Sequence, residues 1–416
     1  MAATVVQSGS YLLELETGIA QDAFTLDSAT QGILNGTQYV LDGTTSFADI
    51  TNFTTVVQYN RGRKKTDYQF GAGTMSFTMR DETGELGPFD TNSIYYDPVT
   101  SQFTLAPMRR IRLSRDGVYL FVGVVTSYYY TFAMAGSNTV NVQCADDFYL
   151  LAQTNLDVYN VTAQQPGARI ADVLALPEVD YTGTTSLATG TVDLGHSAAY
   201  TVPAGTNTLQ YLTQINQAEQ GRLFMSAAGV LTFQERIGNT LSNPTISFGD
   251  DGVLAKYVDI EVEFDADNVV NRSVVTGLNG TTETDSDAAS IAQYFTQNVS
   301  ITNSLLDVTG QIADLATYLL EPQPEPRFTS VTASFASLTN LQRTDAATVD
   351  IGDTIEIEKQ ITGLLGPITK EYSVEGIAGV IDFARGHRIT YYTAPTTIVT
   401  LFILDTSVLD GPDVLG

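Results

Sequence analysis

The 416-residue sequence has no tryptophan, one cysteine and two histidines. A lone Cys144 excludes an intrachain disulfide framework and reads as a buried structural thiol. His196 and His387 lie far apart in the chain, which excludes a His-rich metal site and leaves a Ser-His-Asp triad few options. Neither a Gly-x-x-x-x-Gly-Lys-Ser/Thr loop nor a Gly-x-Ser-x-Gly elbow occurs. Cations are scarce as well. The chain has 20 Lys+Arg against 47 Asp+Glu, a net charge of −27, and such a surface repels a phosphate backbone. No apolar run reaches the ~18 residues that span a bilayer. The opening MAATVVQSGSYLLELE has no basic n-region and no continuous apolar stretch, so a cytoplasmic product without stable membrane insertion is expected.

Apolar residues, at 43%, and 21 Tyr with 19 Phe are too many for a solvated chain, and the length suits two to four domains. The charge is uneven. Residues 1–115 carry 9 basic and 12 acidic side chains, whereas residues 116–416 carry 11 and 35. Two basic clusters stand out, Arg61, Arg63, Lys64, Lys65 and Arg109, Arg110, Arg112, Arg115. Each reads as a solvated loop or edge strand or, more sharply, as a contact to an acidic neighbouring subunit or ring.

β signals dominate, as short alternating or β-branched runs bounded by Gly, Asn, Asp and Pro. The runs 73–79, 110–114, 118–126, 139–143, 330–335, 354–358, 369–374 and 388–392 are predicted strands. Asp116-Gly117 is predicted to make a tight hairpin turn with positive φ at both residues. Tyr128, Tyr129 and Tyr130 put rings on both faces of a strand, which suits cover by another sheet or subunit. Helices are predicted over 168–176, 209–218, 288–295 and 311–320, with Asn207 as N-cap and Gly221 as stop of the second. The fold class is mainly β with α+β character and few short helices. Its blocks are a β-rich 1–148, a mixed 149–245, a second β-rich block with two helices at 246–394, and a tail at 395–416. An old duplication of the β blocks stays open, because no residue-level repeat demands it.

One acidic motif stands apart. Asp259, Glu261, Glu263, Asp265 and Asp267 recur at period two, with Ile260, Val262, Phe264 and Ala266 between them. On a strand the acids share one face. That face suits solvent, a divalent cation, a pair of glycosidase carboxylates, or the wall of a channel.

Several stretches taken in order resemble one family. They are Ser76-Phe-Thr-Met-Arg-Asp81 with Gly84 and Pro88, the aromatic pair Tyr95-Tyr96, Pro107-Met-Arg-Arg-Ile-Arg112 and Leu120-Phe-Val-Gly-Val124. Then come Leu209 to Phe224 with the hairpin ending Leu231-Thr-Phe233, Asp265 to Arg272, Asp314 to Leu320, Ile351-Gly-Asp353 and Val374-Glu-Gly-Ile377. Together they are similar to the minor tail proteins that form the baseplate hub at the tail tip of long-tailed bacteriophages, particularly actinobacterial siphophages. The chain departs from the pattern in lacking the Trp that relatives often carry in the region matching 381–390, and it carries no peptidoglycan-cleaving extension.

The resemblance implies two tube-like β-barrel domains flanking a mixed α/β central domain. It also implies a non-enzymatic homotrimer without cofactor or metal, forming a pseudo-hexameric ring at the virion tail tip. The implied partners are the distal tail protein ring and other tip, tape-measure or receptor-binding proteins, with DNA only in transit. Under it, Asp259, Glu261, Glu263, Asp265 and Asp267 are candidate lumen acids, and the basic clusters with Tyr128, Tyr129 and Tyr130 are candidate interface residues. A distal tail protein, a carbohydrate-binding receptor protein and a cell-wall glycan hydrolase remain the alternatives.

Overall fold

The computed structural model describes residues 9–17, 47–64, 70–93, 95–97, 101–134, 137–195, 201–236, 243–302, 304–363 and 366–395. Lys65, His196 and the tail from 396 lie outside the described residues.

Thirteen strands form one sheet, numbered here in chain order. They are β1 (Tyr11–Glu16), β2 (Phe47–Asp49), β3 (Thr54–Gly62), β4 (Thr74–Asp81), β5 (Arg110–Arg115), β6 (Val118–Thr131) and β7 (Asn138–Ala145), followed by β8 (Ile246–Phe248), β9 (Asp259–Glu263), β10 (Arg327–Ser334), β11 (Thr354–Lys359), β12 (Ile368–Asp382) and β13 (Gly386–Pro395). The order across the sheet is β9-β10-β13-β12-β3-β4-β7-β6-β5-β1-β2, and β11 joins β8 to β12. Every pairing is antiparallel except β8 with β11. The chain is therefore mainly β, as its alternating runs predict.

Chain order and pairing repeat. The first unit runs β3, β4, β5, β6, β7 and pairs as β3-β4-β7-β6-β5. The second runs β9, β10, β11, β12, β13 and pairs as β9-β10-β13-β12-β11. In each unit the fourth strand of the pairing order is long and carries a bulge at mid-length, Thr126 in β6 and Glu375 in β12. Aligning the bulges puts Val140 and Val142 on Ile389 and Tyr391, and Ser76-Phe77-Thr78-Met79 on Ser330-Val331-Thr332-Ala333. A cross-strand pair also repeats. Thr78 Oγ1 donates to Asn141 Oδ1 at 2.8 Å, and the hydroxyls of Thr332 and Thr390 lie 2.8 Å apart. The units share which positions are apolar and few actual residues, which is why the sequence alone leaves the duplication open.

The units are joined edge to edge. The first part of β12, residues 368–373, pairs with β11, and its second part, residues 376–382, pairs with β3. One face of the combined sheet is packed, with Val57, Phe77, Val142, Ile377, Ile381, Ile389 and Val331 in a single core. Asp116 and Gly117 take φ of 48° and 83° at the β5–β6 hairpin, as Asp-Gly requires.

A second core gathers three helices, α1 (Asp147–Gln153), α2 (Pro166–Leu174) and α3 (Thr208–Glu219), with the hairpin Arg222–Met225 and Leu231–Gln234. Residues 269–320 add two helices, α4 (Ala288–Tyr294) and α5 (Thr309–Tyr318), and α5 seats Ile312 and Leu315 beside Val275 and Ile301 in this core. A sixth helix, α6 (Asn340–Thr348), starts with a Thr339–Gln342 capping box. Asn207 caps α3 as predicted, its Oδ1 accepting from Gln210 N. The stop differs from the prediction, because Gln220 rather than Gly221 takes the left-handed conformation, at φ 56°. Gly221 is needed for close approach, since a Cβ there would lie 2.4 Å from the Gln234 carbonyl oxygen.

Candidate functional site

Five of the seven described residues of the basic clusters are in the chain's own ion pairs. Arg61 Nη1 meets Asp350 Oδ1 at 2.5 Å, and Arg63 Nε donates to Glu375 Oε2 at 2.9 Å. Arg110 pairs with Asp147, and Arg112 grips both carboxylate oxygens of Glu14 at 2.6 and 3.0 Å. Arg115 is buried, 3.1 Å from Asp116 Oδ2, with its guanidinium over the ring of Phe335. Arg109 is half-buried before β5, its carbonyl accepting from Val125 N at 2.9 Å. Lys64 is exposed, its Nζ 5.6 Å from the centre of the Tyr392 ring. The strands placed basic side chains opposite acids that are remote in sequence, which spacing alone does not reveal.

The tyrosines split between faces. Tyr128 and Tyr130 lie on the packed side of β6 and stack in a ladder with Phe132, with centroids 6.2 and 6.1 Å apart. Tyr129, on the opposite side, is 60% exposed, and Phe132 at the strand's end is 57% exposed.

The acidic row is shorter than predicted. Asp259, Glu261 and Glu263 share the face of β9 opposite Ile260 and Val262, and Ser330 Oγ donates to Glu261 Oε2 at 2.9 Å. The strand ends there. Asp265 instead caps a short turn over Ala266–Asn268 by accepting from Asp267 N, and Asp267 lies within that turn. The alternation ends because the chain leaves the sheet, so Asp265 and Asp267 do not continue the row. Phe264 and Val262, beside the acids, are 66% and 58% exposed.

His387 is buried in the core between two hydroxyls, Tyr11 Oη at 3.0 Å from Nδ1 and Tyr59 Oη at 3.2 Å from Nε2, and stacks on Phe335. Burial, with the Arg115 charge, lowers its pKa to about 3, so the ring is a neutral core group. Burial pushes the Cys144 thiol up, which suits a structural cysteine. Among the described residues no three His, Cys, Asp or Glu side chains group to hold a metal ion, and no helix is long and apolar enough to cross a membrane.

Two strand edges among the described residues also carry exposed apolar side chains. One is the β6 end around Tyr129 and Phe132, and the other is β9 with Val262 and Phe264. The alternation of Ile260, Val262 and Phe264 was visible in the sequence, but nothing there distinguished a packed face from an open edge.

No family model and no curated protein matches the chain. Solved structures do. A tail protein from Neisseria meningitidis MC58 is similar at 12% identity and a TM-score of 0.58, over 92% of this chain and 96% of that one. The 43 kDa tail protein of prophage MuSo2 from Shewanella oneidensis is similar at 11% identity and a TM-score of 0.56, over 92% and 98%. The chain has a phage tail-protein fold. A third such fold, the prophage tail protein gp18 from Listeria monocytogenes EGD-e, matches at 10% identity and a TM-score of 0.50, over 85% and 93%. At these identities the likeness covers the path of the backbone, and it spans both repeated units and the second core.

Proposed function

We propose that the chain is a structural, non-enzymatic protein of a long-tailed bacteriophage, the baseplate hub at the virion tail tip, assembled in the host cytoplasm. In this reading it forms a homotrimer. Each chain contributes its β-rich blocks, 1–148 and 246–394, as two tube-like domains, so that six units close a ring continuing the tail tube. The mixed block, 149–245, together with the helical segment that packs on it, faces outward toward tip, tape-measure or receptor-binding proteins.

The observation that carries this reading is the duplicated five-strand unit joined edge to edge in one sheet, within a fold shared with phage tail proteins. A chain with two like units meets a sixfold neighbour such as a distal tail ring with three copies. The sheet's unpacked face supports a channel role. It carries Gln58, Thr78, Asn141 and Thr390 beside Asp259 and Glu261, polar or acidic groups that do not grip DNA, although Arg80 and Arg388, two positions from Thr78 and Thr390, add exposed cations to the same face.

Imaging of the purified protein and of tails containing it tests the proposal. The expected result is a threefold particle, located at the tip in tails. A sixfold ring would assign the chain to the distal tail position instead, and glycan cleavage lost in Glu261→Gln would make it an enzyme.

A further inference from the structure

Among the strand edges of the large sheet that have no partner among the described residues, two are related by the repeat. One is the outer edge of β9, which pairs only with β10. The other is the edge of β6 from Ser127 to Thr131 on the side away from β7, beyond the point where β5 stops pairing. The repeat makes these edges equivalent to two that are paired. β12 matches β6, β3 matches β9, and β12 pairs with β3 inside the chain.

We propose that the β6 edge of one copy pairs antiparallel with the β9 edge of a second copy, reproducing between chains the β12–β3 seam within the chain. This deepens the proposed ring role and rests on it.

The repeat fixes the register. Within the chain Ile381 lies opposite Val57, Gly379 opposite Tyr59 and Ile377 opposite Arg61. The bulge alignment puts Phe132 at Ile381, Tyr130 at Gly379 and Tyr128 at Ile377, while the β3–β4 and β9–β10 registers put Ile260 at Val57 and, with the extra residue Thr329 of β10 bulged out after Glu261, Val262 at Tyr59. Between copies, Phe132 therefore faces Ile260, Tyr130 faces Val262, and Tyr128 faces Phe264 just past the strand. On the other face Thr131 meets Glu261 and Tyr129 meets Glu263.

Three properties of the side chains agree with that register, although none was used to set it. Apolar residues meet apolar residues along the core side, continuing the sheet's packed face. The steric arrangement is complementary. Inside the chain an aromatic, Tyr59, crosses the strand opposite a residue without a side chain, so closely that a Cβ on Gly379 would lie 2.1 Å from its ring. Between copies the aromatic comes from the other strand, Tyr130, against the smaller Val262. Finally, the β6 segment Ser127 to Ala133 contains no acid, so the acidic row of β9 meets uncharged side chains.

Pairing β9 with another β9 would instead set carboxylates against carboxylates, which disfavours a twofold edge-to-edge dimer. A contact between two different edges is heterologous and closes into a ring when its rotation permits. It would also cover Tyr129, Phe132, Val262 and Phe264, the exposed apolar side chains at both edges.

Disulfide trapping tests the seam. Thr131→Cys with Glu261→Cys places two thiols directly opposite across it, within the Cα separation a disulfide accepts. Oxidation of the full-length double variant with diamide is expected to give covalent species of up to three chains, while Thr131→Cys with Asp259→Cys, two residues out of register, gives few. Independently, Phe132→Glu is expected to weaken self-association roughly 30-fold or more, the scale of losing a buried aromatic anchor, while its circular dichroism matches the parent. An oligomer of correct mass that does not cross-link at 131–261 and tolerates Phe132→Glu would overturn the seam and leave the ring role standing. A chain that stays monomeric at millimolar concentration, and is absent from the tail as a multimer, would overturn both.

Discussion

Nε of Arg222 donates to Oε1 of Glu375 at 2.8 Å, across the boundary between the two cores. Glu375 is the bulge residue of β12 and is almost fully buried, and its second oxygen accepts from Arg63 on the first unit. One carboxylate therefore ties the hairpin of the helical core to both halves of the sheet. Burial opposes its ionisation, but the charges and hydrogen bonds of Arg222 and Arg63 outweigh that and hold its pKa below the ordinary value. A second tie lies nearby, where Asp350 accepts from Arg61 and from Ala227 N.

Removing the Glu375 carboxylate takes away the buried acid that the Arg222 and Arg63 guanidiniums share. Glu375→Gln is expected to destabilise the fold by ~3–5 kcal/mol. Urea denaturation followed by tyrosine fluorescence and by circular dichroism checks this, and a loss under 1 kcal/mol would mean that the pair is dispensable.

His387 titrates against the fold. Its pKa of about 3 in the folded state lies below the ordinary 6.5, so the unfolded chain takes up the proton first as pH falls. Its contribution is present above pH 6.5 and is lost progressively toward pH 3. The stability advantage of the parent over His387→Gln should therefore shrink across that window. An advantage that stays constant would place the acid sensitivity in other groups.

Asp146 titrates with the opposite sign. It caps α1 by accepting from Phe148 N and also accepts from Gly73 N, yet burial raises its pKa from 3.8 to about 7. The folded state holds the proton longer than the unfolded one, so its contribution is largest below pH 4 and falls as pH rises through about 7. Stability of the parent relative to Asp146→Asn, which keeps a capping oxygen, should decline between pH 4 and pH 8. Calorimetric melts at several pH values give the comparison.

Gly379 marks the joint between the units. An added Cβ would lie 2.1 Å from the Tyr59 ring, and that ring is held by its hydroxyl's hydrogen bond to His387. Gly379→Ala is expected to cost ~1–3 kcal/mol as an overpacked site. An unchanged denaturation midpoint would show that the β12–β3 joint yields easily.

Local chemistry made much of the molecule legible in advance. Asp116-Gly117 can satisfy positive φ at both turn positions, Asn207 can cap a helix, and alternation along β4, β5, β7 and β13 reports a one-sided sheet, because each depends on residues a few positions apart. The same reasoning missed α1 and α6, whose apolar stripes are too short to register. It also ran the acidic row past Glu263, where a turn capped by Asp265 ends the strand.

What the sequence by itself determined was the class of protein: mainly β, strongly acidic, with one cysteine that has no partner and too few histidines for a metal cluster. Only the tertiary structure decided where the charges and edges go. Arg61 finds Asp350 and Arg112 finds Glu14 across separations of 289 and 98 residues, so these members of the basic clusters are paired inside the chain. The duplication likewise became visible only through pairing, since a sheet constrains which positions are apolar and how strands adjoin and leaves the side chains themselves free to differ.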